Sequence, residues 1–560
     1  MTRVTLFALA WLACLLFLSW RYYKAASPAV FGLKCCHWPT VQLIRQGLSS
    51  ETINSLFERY DAANTGVSAW IVSNLGRVGP ERGDTIHRFF DSSPFSPSGR
   101  FIAATRLPPP QYSLDLTHHL ASVVVIDLEQ GKEQEVALTQ AWGAQVGAHA
   151  KWGGSDDELF FNQVRKGGAI EGVLYGVESR RVMRVLPCPV YHATLDGKFT
   201  ATPNLRKIRH TQFGYGVDYA DAADTSLSPR HDGSANHNAP KTDGLFVNNV
   251  DAGTCRLLVS LHDFAVVAGL DVDHTPTYGF HVKWSYDGAR LLFVMRSLER
   301  SRGVHGMLSG HRVRRQHLFV LRADGSGIRH LLSWSSKEFD GVNDVDEKEE
   351  GMDCNHPNWV PNSYNVSINM KPRSRVVATP WSLIVFDTNA VLEKQPMQND
   401  THVMQHQKVK NTIMLREVYS PGSGHPNFAL GGRFVVLDVY AKERHIFGSY
   451  KHAANASTFS GRIGSGERYA PLRLVDIDLR REVWLLQAQL VPDAESEARN
   501  ALVHPRAPNK EKRAWRCDMH PSFSRSGNWV AFNARPYGAS RELLIAHVPS
   551  LPKYFANERR

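Results

Sequence analysis

The chain has 560 residues, of which 21% are charged and 42% hydrophobic, a globular composition that excludes a disordered or fibrous protein. A chain of this length holds either several domains or one large repeat array. The formal net charge of +11 favours polyanionic partners, which include acidic polysaccharide, anionic lipid and nucleic acid.

The first element of the chain is an uncharged apolar stretch, VTLFALAWLACLLFLSW, over residues 4–20. A helix of this length just reaches across a bilayer, and it also resembles the core of a signal peptide. Residues 1–24 are therefore predicted as either an uncleaved signal anchor, with a single transmembrane helix, or a cleaved signal peptide. In both cases we expect the rest of the chain on the lumenal or extracellular side, either held at the membrane by this helix or secreted. A lumenal or extracellular location excludes nuclear nucleic acid as a partner.

The next segment, residues 25–84, is predicted as a stem or a helical cap. Its sequence LIRQGLSSETINSLFERYDAA suits one or two amphipathic helices.

One pattern then recurs seven times: a small or imidazole residue, an aromatic residue, a polar turn that usually contains Gly, and an apolar strand. The copies span residues 94–105, 149–161, 190–202, 281–294, 356–369, 425–438 and 520–533. Each copy is typical of a β-hairpin, and a hairpin cannot bury its own face alone. Four-stranded units stacked around an axis can, so the sequence predicts an all-β, seven-bladed β-propeller over residues 85–550, with a tail at 551–560. The alternative is a pair of β-sandwiches with incidental turn motifs.

Seven cysteines are spread along the chain without CxxC spacing, which excludes a zinc ribbon and a disulfide-dense scaffold. One or two disulfides remain open, and their pairing cannot be obtained from the sequence. Asn365, Asn399 and Asn455 begin glycosylation sequons, which agree with a secretory address.

Histidine begins five of the seven copies, at the place where the inner strand of a blade lines the channel: His149, His281, His356, His425 and His520. Imidazoles that converge on one axis predict a metal site, formed by the last four histidines together with Cys517. Imidazole and thiolate suit zinc, whereas imidazole with a carboxylate from Asp353 or Asp518 suits manganese or iron. The alternative is that these histidines only hydrogen-bond the backbone of a neighbouring blade.

Four stretches carry a family resemblance: TQAWGAQVGAHAKW, RVLPCPVYHATLDGKF, RHTQFGYGVDY and WRCDMHPSFSRSGNW. In that order, they resemble seven-bladed polysaccharide lyases of the ulvan lyase type and, more distantly, oligogalacturonate lyases, which have a metal-binding histidine cluster. The resemblance implies a carbohydrate-active protein that cleaves an acidic, uronic-acid polysaccharide by β-elimination. A base removes the proton at C5 of the uronate, a cation neutralises its carboxylate, and an acid protonates the departing oxygen.

The resemblance also assigns roles to particular residues. The base of the family's P-x-Y motif falls on Tyr191, with His192 beside it, and the carboxylate-binding cation falls on Arg206 or Lys207. Two histidines of the family are absent here, and His149 lies near enough to substitute for one. A non-catalytic propeller that binds a glycan or a protein across its face is the alternative function.

Overall fold

Each of the seven sequence repeats folds as an antiparallel β-hairpin, as predicted. The computed structural model describes residues 48–60, 67–73, 83–108, 120–212, 214–217, 238–300, 312–335, 352–372, 381–389, 415–419, 424–439, 469–490, 515–536 and 540–558. Residues 44–560 form one compact unit, which holds all the described residues.

The described strands form seven antiparallel sheets, the blades of a β-propeller. Blade 1 contains β3 (Thr85–Ile86), β4 (Phe101–Arg106), β5 (Ala121–Asp127) and β6 (Lys132–Thr139). Blade 2 contains β7 (Lys151–Trp152), β8 (Leu159–Val164), β9 (Ile170–Gly176) and β10 (Arg181–Leu186). Blade 3 contains β11 (His192–Ala193), β12 (Phe199–Thr202), β13 (Gly244–Asn249) and β14 (Thr254–Ser260). Blade 4 contains β15 (Thr277–Trp284), β16 (Arg290–Arg300), β17 (Arg312–Arg322) and β18 (Arg329–Ser335).

The last three blades follow the same order, with the first strand innermost. Blade 5 contains β19 (Met352–Trp359), β20 (Asn365–Pro372), β21 (Ser382–Asp387) and β22 (Leu415–Tyr419). Blade 6 contains β23 (Asn427–Phe428), β24 (Phe434–Leu437), β25 (Tyr469–Asp476) and β26 (Arg481–Gln489). Blade 7 contains β27 (Ser522–Phe523), β28 (Trp529–Ala534) and β29 (Glu542–His547), which are joined by β2 (Ala69–Ile71) and β1 (Glu58–Arg59).

The turns between the first two strands of a blade share one chemistry. In four blades a hydroxyl at the end of the first strand accepts a hydrogen bond from the backbone N–H five residues later, at Ser96, Thr194, Ser285 and Ser524. The fourth residue of each of these turns is a glycine with a φ between +70° and +85°, a region in which other residues are strained. The shared spacing of hydroxyl and glycine therefore sets the hairpin in these four blades.

Blade 7 is completed by the N-terminal part of the chain. β2 pairs antiparallel with β29, with Ala69 opposite Ala546 and Ile71 opposite Leu544. A strand from the segment predicted as a stem or cap is therefore the fourth strand of the last blade. This pairing joins the two ends of the sheet array, so the ring is closed by hydrogen bonds between sequence-distant strands.

Short helices flank this closure. α1 (Ser50–Leu56) has Ser49 as its N-cap and lies within the stretch predicted to be helical. In the predicted tail, a 3₁₀ helix (Leu551–Glu558) packs Phe555 against Phe434 at a ring-centroid distance of 5.9 Å. Two further helices, α2 (Leu205–Thr211) and α3 (Leu261–Val267), belong to the loops of blade 3.

No helix among the described residues is long and apolar enough to cross a membrane. The predicted anchor over residues 4–20 lies outside the described residues, and so do the sequons at Asn399 and Asn455. Asn365 is half-buried at the start of β20.

Cys188 and Cys255 form a disulfide, which resolves the pairing that the sequence left open. The bond ties the connection between blades 2 and 3 to β14, the outermost strand of blade 3. Cys354 and Cys517 are buried cysteines outside this disulfide.

Blade 1 differs from the other blades at the channel. Ile86 of β3 pairs with Thr105, and the next pairing between the two strands is Phe95 with Ile102. Residues 87–94, HRFFDSSP, leave the sheet between these two pairs, and we call them the channel segment.

The channel segment is held by three other blades. The Asn427 amide donates to the Phe90 carbonyl at 2.6 Å, and the Trp152 indole donates to the Pro94 carbonyl at 2.7 Å. The His87 backbone N–H donates to the Asn533 amide oxygen at 3.2 Å. The segment therefore fills the axis of the ring, where the other blades present their first strands.

Candidate metal centre

The channel histidines lie at one end of the ring, where the first strands of the blades begin. Three of them have left-handed backbone conformations, with φ of 57° at His149, 54° at His356 and 48° at His520. This region is unfavourable for residues other than glycine, and such strain is concentrated at functional sites.

Four of the histidines surround the ring of Phe89 from the channel segment. The ring-centroid distances from Phe89 are 5.6 Å to His281, 6.4 Å to His356, 5.7 Å to His425 and 4.5 Å to His520. The four predicted ligands therefore converge on the axis, but they contact one aromatic ring and not one metal-sized point.

A smaller set of residues does have the geometry of a metal site. Within the described part of the chain, His425, Asp518 and His520 each offer a ligand atom, and these atoms lie within 4.8 Å of one another. All three residues are buried. The rings of His425 and His520 are 4.4 Å apart, and that of His356 lies 4.1 Å from His425 without joining the group.

His425 is oriented as metal-binding histidines are. Its Nδ1–H donates to the Asp438 carboxylate at 2.9 Å, and its backbone N–H donates to the same carboxylate at 2.6 Å. This carboxylate fixes the ring and the tautomer, so that the lone pair is on Nε2. Asp438 is itself buried, which makes the pair rigid.

His520 carries the clearest sign of a missing partner. Among the described residues no group forms a hydrogen bond with either of its ring nitrogens, and the residue is 1% exposed. A buried polar group without a partner destabilises a fold by about 1–3 kcal/mol. A cation held by His520, His425 and Asp518 removes that cost, so the residues present fit a metal ion.

The donor set indicates which metals fit. Two imidazoles and one carboxylate suit manganese, iron or zinc and leave further coordination positions for a ligand. Cys517 is outside the group and packs with Met519 in an apolar cluster. Burial raises the pKa of the Cys517 thiol to about 12, which opposes the thiolate that a metal needs.

Basic residues surround this end of the channel. Arg516 pairs with Asp518 at 2.7 Å and donates to the Tyr215 hydroxyl at 3.0 Å, and its side chain is 33% exposed. Buried Arg296 stacks on Phe280 and donates to the amide oxygen of Gln212 at 2.6 Å. The group therefore lies in positive surroundings, with Arg516 at the side that solvent reaches.

Tyr191 and His149 are both buried among the channel side chains. Tyr191 is 1% exposed, and its hydroxyl is hydrogen-bonded to Nδ1 of His281. Burial raises the pKa of Tyr191 well above its usual range, so the phenol keeps its proton. His149 packs against Tyr191 at 5.2 Å, and no described group hydrogen-bonds its ring.

The remaining predicted residues are separated from Tyr191. His192 follows Tyr191 in sequence but contacts Lys151, at 3.4 Å from Nε2 to Nζ. Lys207 lies on α2 and pairs with Asp243 at 2.8 Å, and Arg206 precedes it on the same helix. Among its described contacts, Lys207 therefore pairs with Asp243 and not with the predicted base, Tyr191.

Two functional features were missed at the sequence level. Asp438 ends the repeat copy that begins with His425, and an acidic residue at that position in one copy only was a usable signal. The Phe89 position had no repeat signal, because the channel segment precedes the first copy.

Comparisons with known proteins give distant structural likenesses only. No protein-family profile and no curated protein matches the chain. An oligogalacturonate lyase in complex with manganese shares 12% identity over 88% of this chain and 96% of that protein, with a TM-score of 0.49. An oligogalacturonate lyase from Vibrio parahaemolyticus shares 12% identity over 88% of this chain and 97% of that protein, with a TM-score of 0.48. The tricorn protease shares 10% over 80% of this chain and 33% of that protein, with a TM-score of 0.38.

At these identities the likeness concerns the fold alone. The distant resemblance to oligogalacturonate lyases that the sequence predicts is found among solved structures, and the resemblance to ulvan lyases stays a prediction.

Proposed function

We propose that this chain is a metal-dependent lyase that cleaves uronic-acid polysaccharides by β-elimination. The observation that carries the proposal is the buried group of His425, Asp518 and His520, with partly exposed Arg516 beside it. The formal net charge of +11 supports an acidic substrate.

In this proposal His425, Asp518 and His520 would hold a divalent cation such as manganese or zinc, which would supply the Lewis-acid chemistry that neutralises the uronate carboxylate. Arg516 donates to the same carboxylate, because its guanidinium lies at the solvent side of the group. Stabilising the charge that develops as the C5 proton leaves is the main task of such a site.

His356 is the residue that we assign as the base. Its Nδ1–H donates to the Gly424 carbonyl at 2.6 Å, which places the lone pair on Nε2. Its ring is half-buried and lies next to His425. Nε2 takes the C5 proton, the C4–O bond breaks, and a C4=C5 double bond forms.

Tyr215 is placed to donate a proton to the departing oxygen. Its hydroxyl accepts from Arg516, and burial raises its pKa to about 12, so it is protonated at neutral pH. Tyr191 is assigned a positioning role here, since its hydroxyl holds His281.

We also place the propeller on the lumenal or extracellular side of a secretory membrane. The disulfide between Cys188 and Cys255 supports that address, because disulfides persist in oxidising compartments. The N-terminal apolar segment provides the attachment in this proposal.

The test is an ultraviolet assay for unsaturated uronate on a panel of acidic polysaccharides, with chelated and manganese- or zinc-loaded protein. We expect product only with metal, and a loss of at least a hundredfold in turnover for His356→Ala. His274→Ala, at an exposed histidine, is the matched control. Turnover that persists after chelation, or in His356→Ala, would contradict the proposal.

A non-catalytic glycan-binding propeller is the second candidate. The specific observation in its favour is the burial of Tyr191, the residue that the family resemblance assigns as base. Saturable binding of an acidic polysaccharide without unsaturated product would support this candidate over the lyase.

A further inference from the structure

The opposite end of the channel contains a cavity that none of the candidate metal ligands lines. Its volume is about 80 Å³, and it lies where the first strands of the blades end and their hairpin turns begin. Aromatic side chains from six blades line it: Phe95, Trp152, Trp284, Trp359, Phe428 and Phe523. Its lining also contains the partly exposed residues Asp91, Ser93, Leu195, Tyr286, Leu430 and Arg525.

Two cations face this cavity without a carboxylate of their own. Lys151 is 6% exposed, and its ammonium group donates to the Ser92 hydroxyl at 2.9 Å and lies 3.4 Å from His192. Arg525 donates to the carbonyls of Gly153 and Leu195. Among the described residues, neither Lys151 nor Arg525 forms an ion pair.

The nearest acid is already engaged by two other cations. Asp91 pairs with Arg88 at 2.7 Å and with Lys283 at 3.4 Å. Although burial alone would raise the pKa of Asp91, these two charges lower it well below its usual value. Asp91 therefore supplies one negative charge to a cluster of three cations, Arg88, Lys151 and Lys283, while Asp156 and Glu158 act on Arg525 without forming an ion pair with it.

A further group at the cavity lacks a hydrogen-bond acceptor. The indole N–H of Trp284 is buried and has no hydrogen-bond partner among the described residues. A buried donor of this kind destabilises the fold unless a ligand or a water accepts from it. It points, independently of the charges, to a ligand that brings acceptor oxygens.

We propose that this cavity binds a small organic monocarboxylate, with its carboxylate on Lys151 and Arg525 and its carbon part against the aromatic collar. A carboxylate supplies the charge that the cluster lacks, and aromatic walls favour an organic anion over a bare inorganic one. The site does not depend on the metal centre or on lyase activity.

The protonation of Lys151 gives the binding a pH dependence. Burial and then the charge of Arg88 lower the pKa of Lys151 to about 7. The groups that face it are Arg88, Asp91, His192, Lys283 and Arg525. A carboxylate ligand stays ionised between pH 6 and pH 9. A change in affinity over that range therefore reports the protonation of the cations in the site and not that of the ligand.

The experiment is isothermal titration calorimetry of the full chain with propionate and lactate, and with the uncharged propionamide and lactamide. We expect the carboxylates to bind and the amides to fail. Affinity should fall at least tenfold in Lys151→Met, and at least tenfold in the wild type between pH 6 and pH 9. Lys198→Met, at a largely exposed lysine in the hairpin turn of blade 3, should bind as the wild type does.

The pH series on the wild type keeps the test decisive where Lys151→Met does not fold. His520→Ala tests whether the cavity acts independently of the metal centre, since this variant should leave carboxylate binding unchanged. Equal binding of amide and carboxylate, binding of inorganic phosphate alone, or loss of binding in His520→Ala with retention in Lys151→Met would each overturn the proposal.

Discussion

Asp438, whose carboxylate accepts hydrogen bonds from His425, is the residue whose role the structure defines most sharply. Asp438 fixes both the backbone and the ring of His425. Carboxylates in this position raise the basicity of a histidine ligand and hold its tautomer. A charge-neutral replacement of similar size should therefore act on the metal and not on the fold.

We expect Asp438→Asn to weaken metal affinity by about 10- to 100-fold, because the amide holds the His425 ring without a negative charge. Asp324→Asn, at an exposed turn of blade 4, is the matched control. Metal titration with a competing chelator measures both variants. Unchanged affinity in Asp438→Asn, at an unchanged midpoint of thermal unfolding, would rule out a supporting role for this carboxylate.

Lys151 should leave a signature in the pH dependence of stability, measured without added anion. Its pKa is about 7 in the folded chain, whereas the ordinary value is 10.5. Between these values the unfolded chain binds the extra proton, so the free energy of unfolding rises with pH across this window. Below pH 7 both states are protonated, and the destabilisation is fully present.

In Lys151→Met this contribution disappears. We expect the wild type to gain stability relative to the variant by about 1 kcal/mol per pH unit between pH 8 and pH 10. Chemical unfolding at several pH values measures both slopes. Parallel slopes would mean that Lys151 has an ordinary pKa in the folded protein.

Among the secondary-structure elements, the short strand β2 closes the ring and has the largest effect on the stability of the propeller for its length. It contributes three buried residues, and through them blade 7 gains its fourth strand. Without it, the edge of β29 would present unpaired backbone groups, and the apolar residues next to Trp70 would be exposed.

Two truncations separate this role from that of the preceding chain. A chain that begins at residue 48 keeps α1 and β2, and we expect it to unfold at nearly the same temperature as the full propeller. A chain that begins at residue 74 should lose at least 10 °C in the midpoint of thermal unfolding, or fail to fold. Similar midpoints for the two truncations would show that β2 does not close the ring.

Sequence reasoning predicted the elements that repeat and missed those that do not. All seven copies carried an aromatic residue, a polar turn and an apolar strand, and four of them the hydroxyl and glycine of the hairpin turn, so the blades could be found without a structure. β2 could not, because three residues are too few for a period-2 pattern. The channel segment was missed for a related reason, since it interrupts the first strand of blade 1 with residues that occur once.

At the scale of the whole molecule, the channel segment divides the channel into two ends. The channel segment places Phe89 among the histidines at one end and Asp91 among the lysines at the other. The metal ligands could therefore be predicted only in part: their shared axis followed from the repeat, but Phe89 decides which of them approach one another. Of the predicted four, His425 and His520 meet, and Asp518 joins them.

The most direct test of this account is the metal content of the purified propeller, measured by elemental analysis after incubation with manganese or zinc and removal of excess ion. We predict one divalent ion per chain in the wild type and in His274→Ala, and less than a tenth of that in the double variant His425→Ala, His520→Ala. Wild-type protein that retains no metal, or a double variant that retains as much as the wild type, would contradict the assignment of this group as a metal centre.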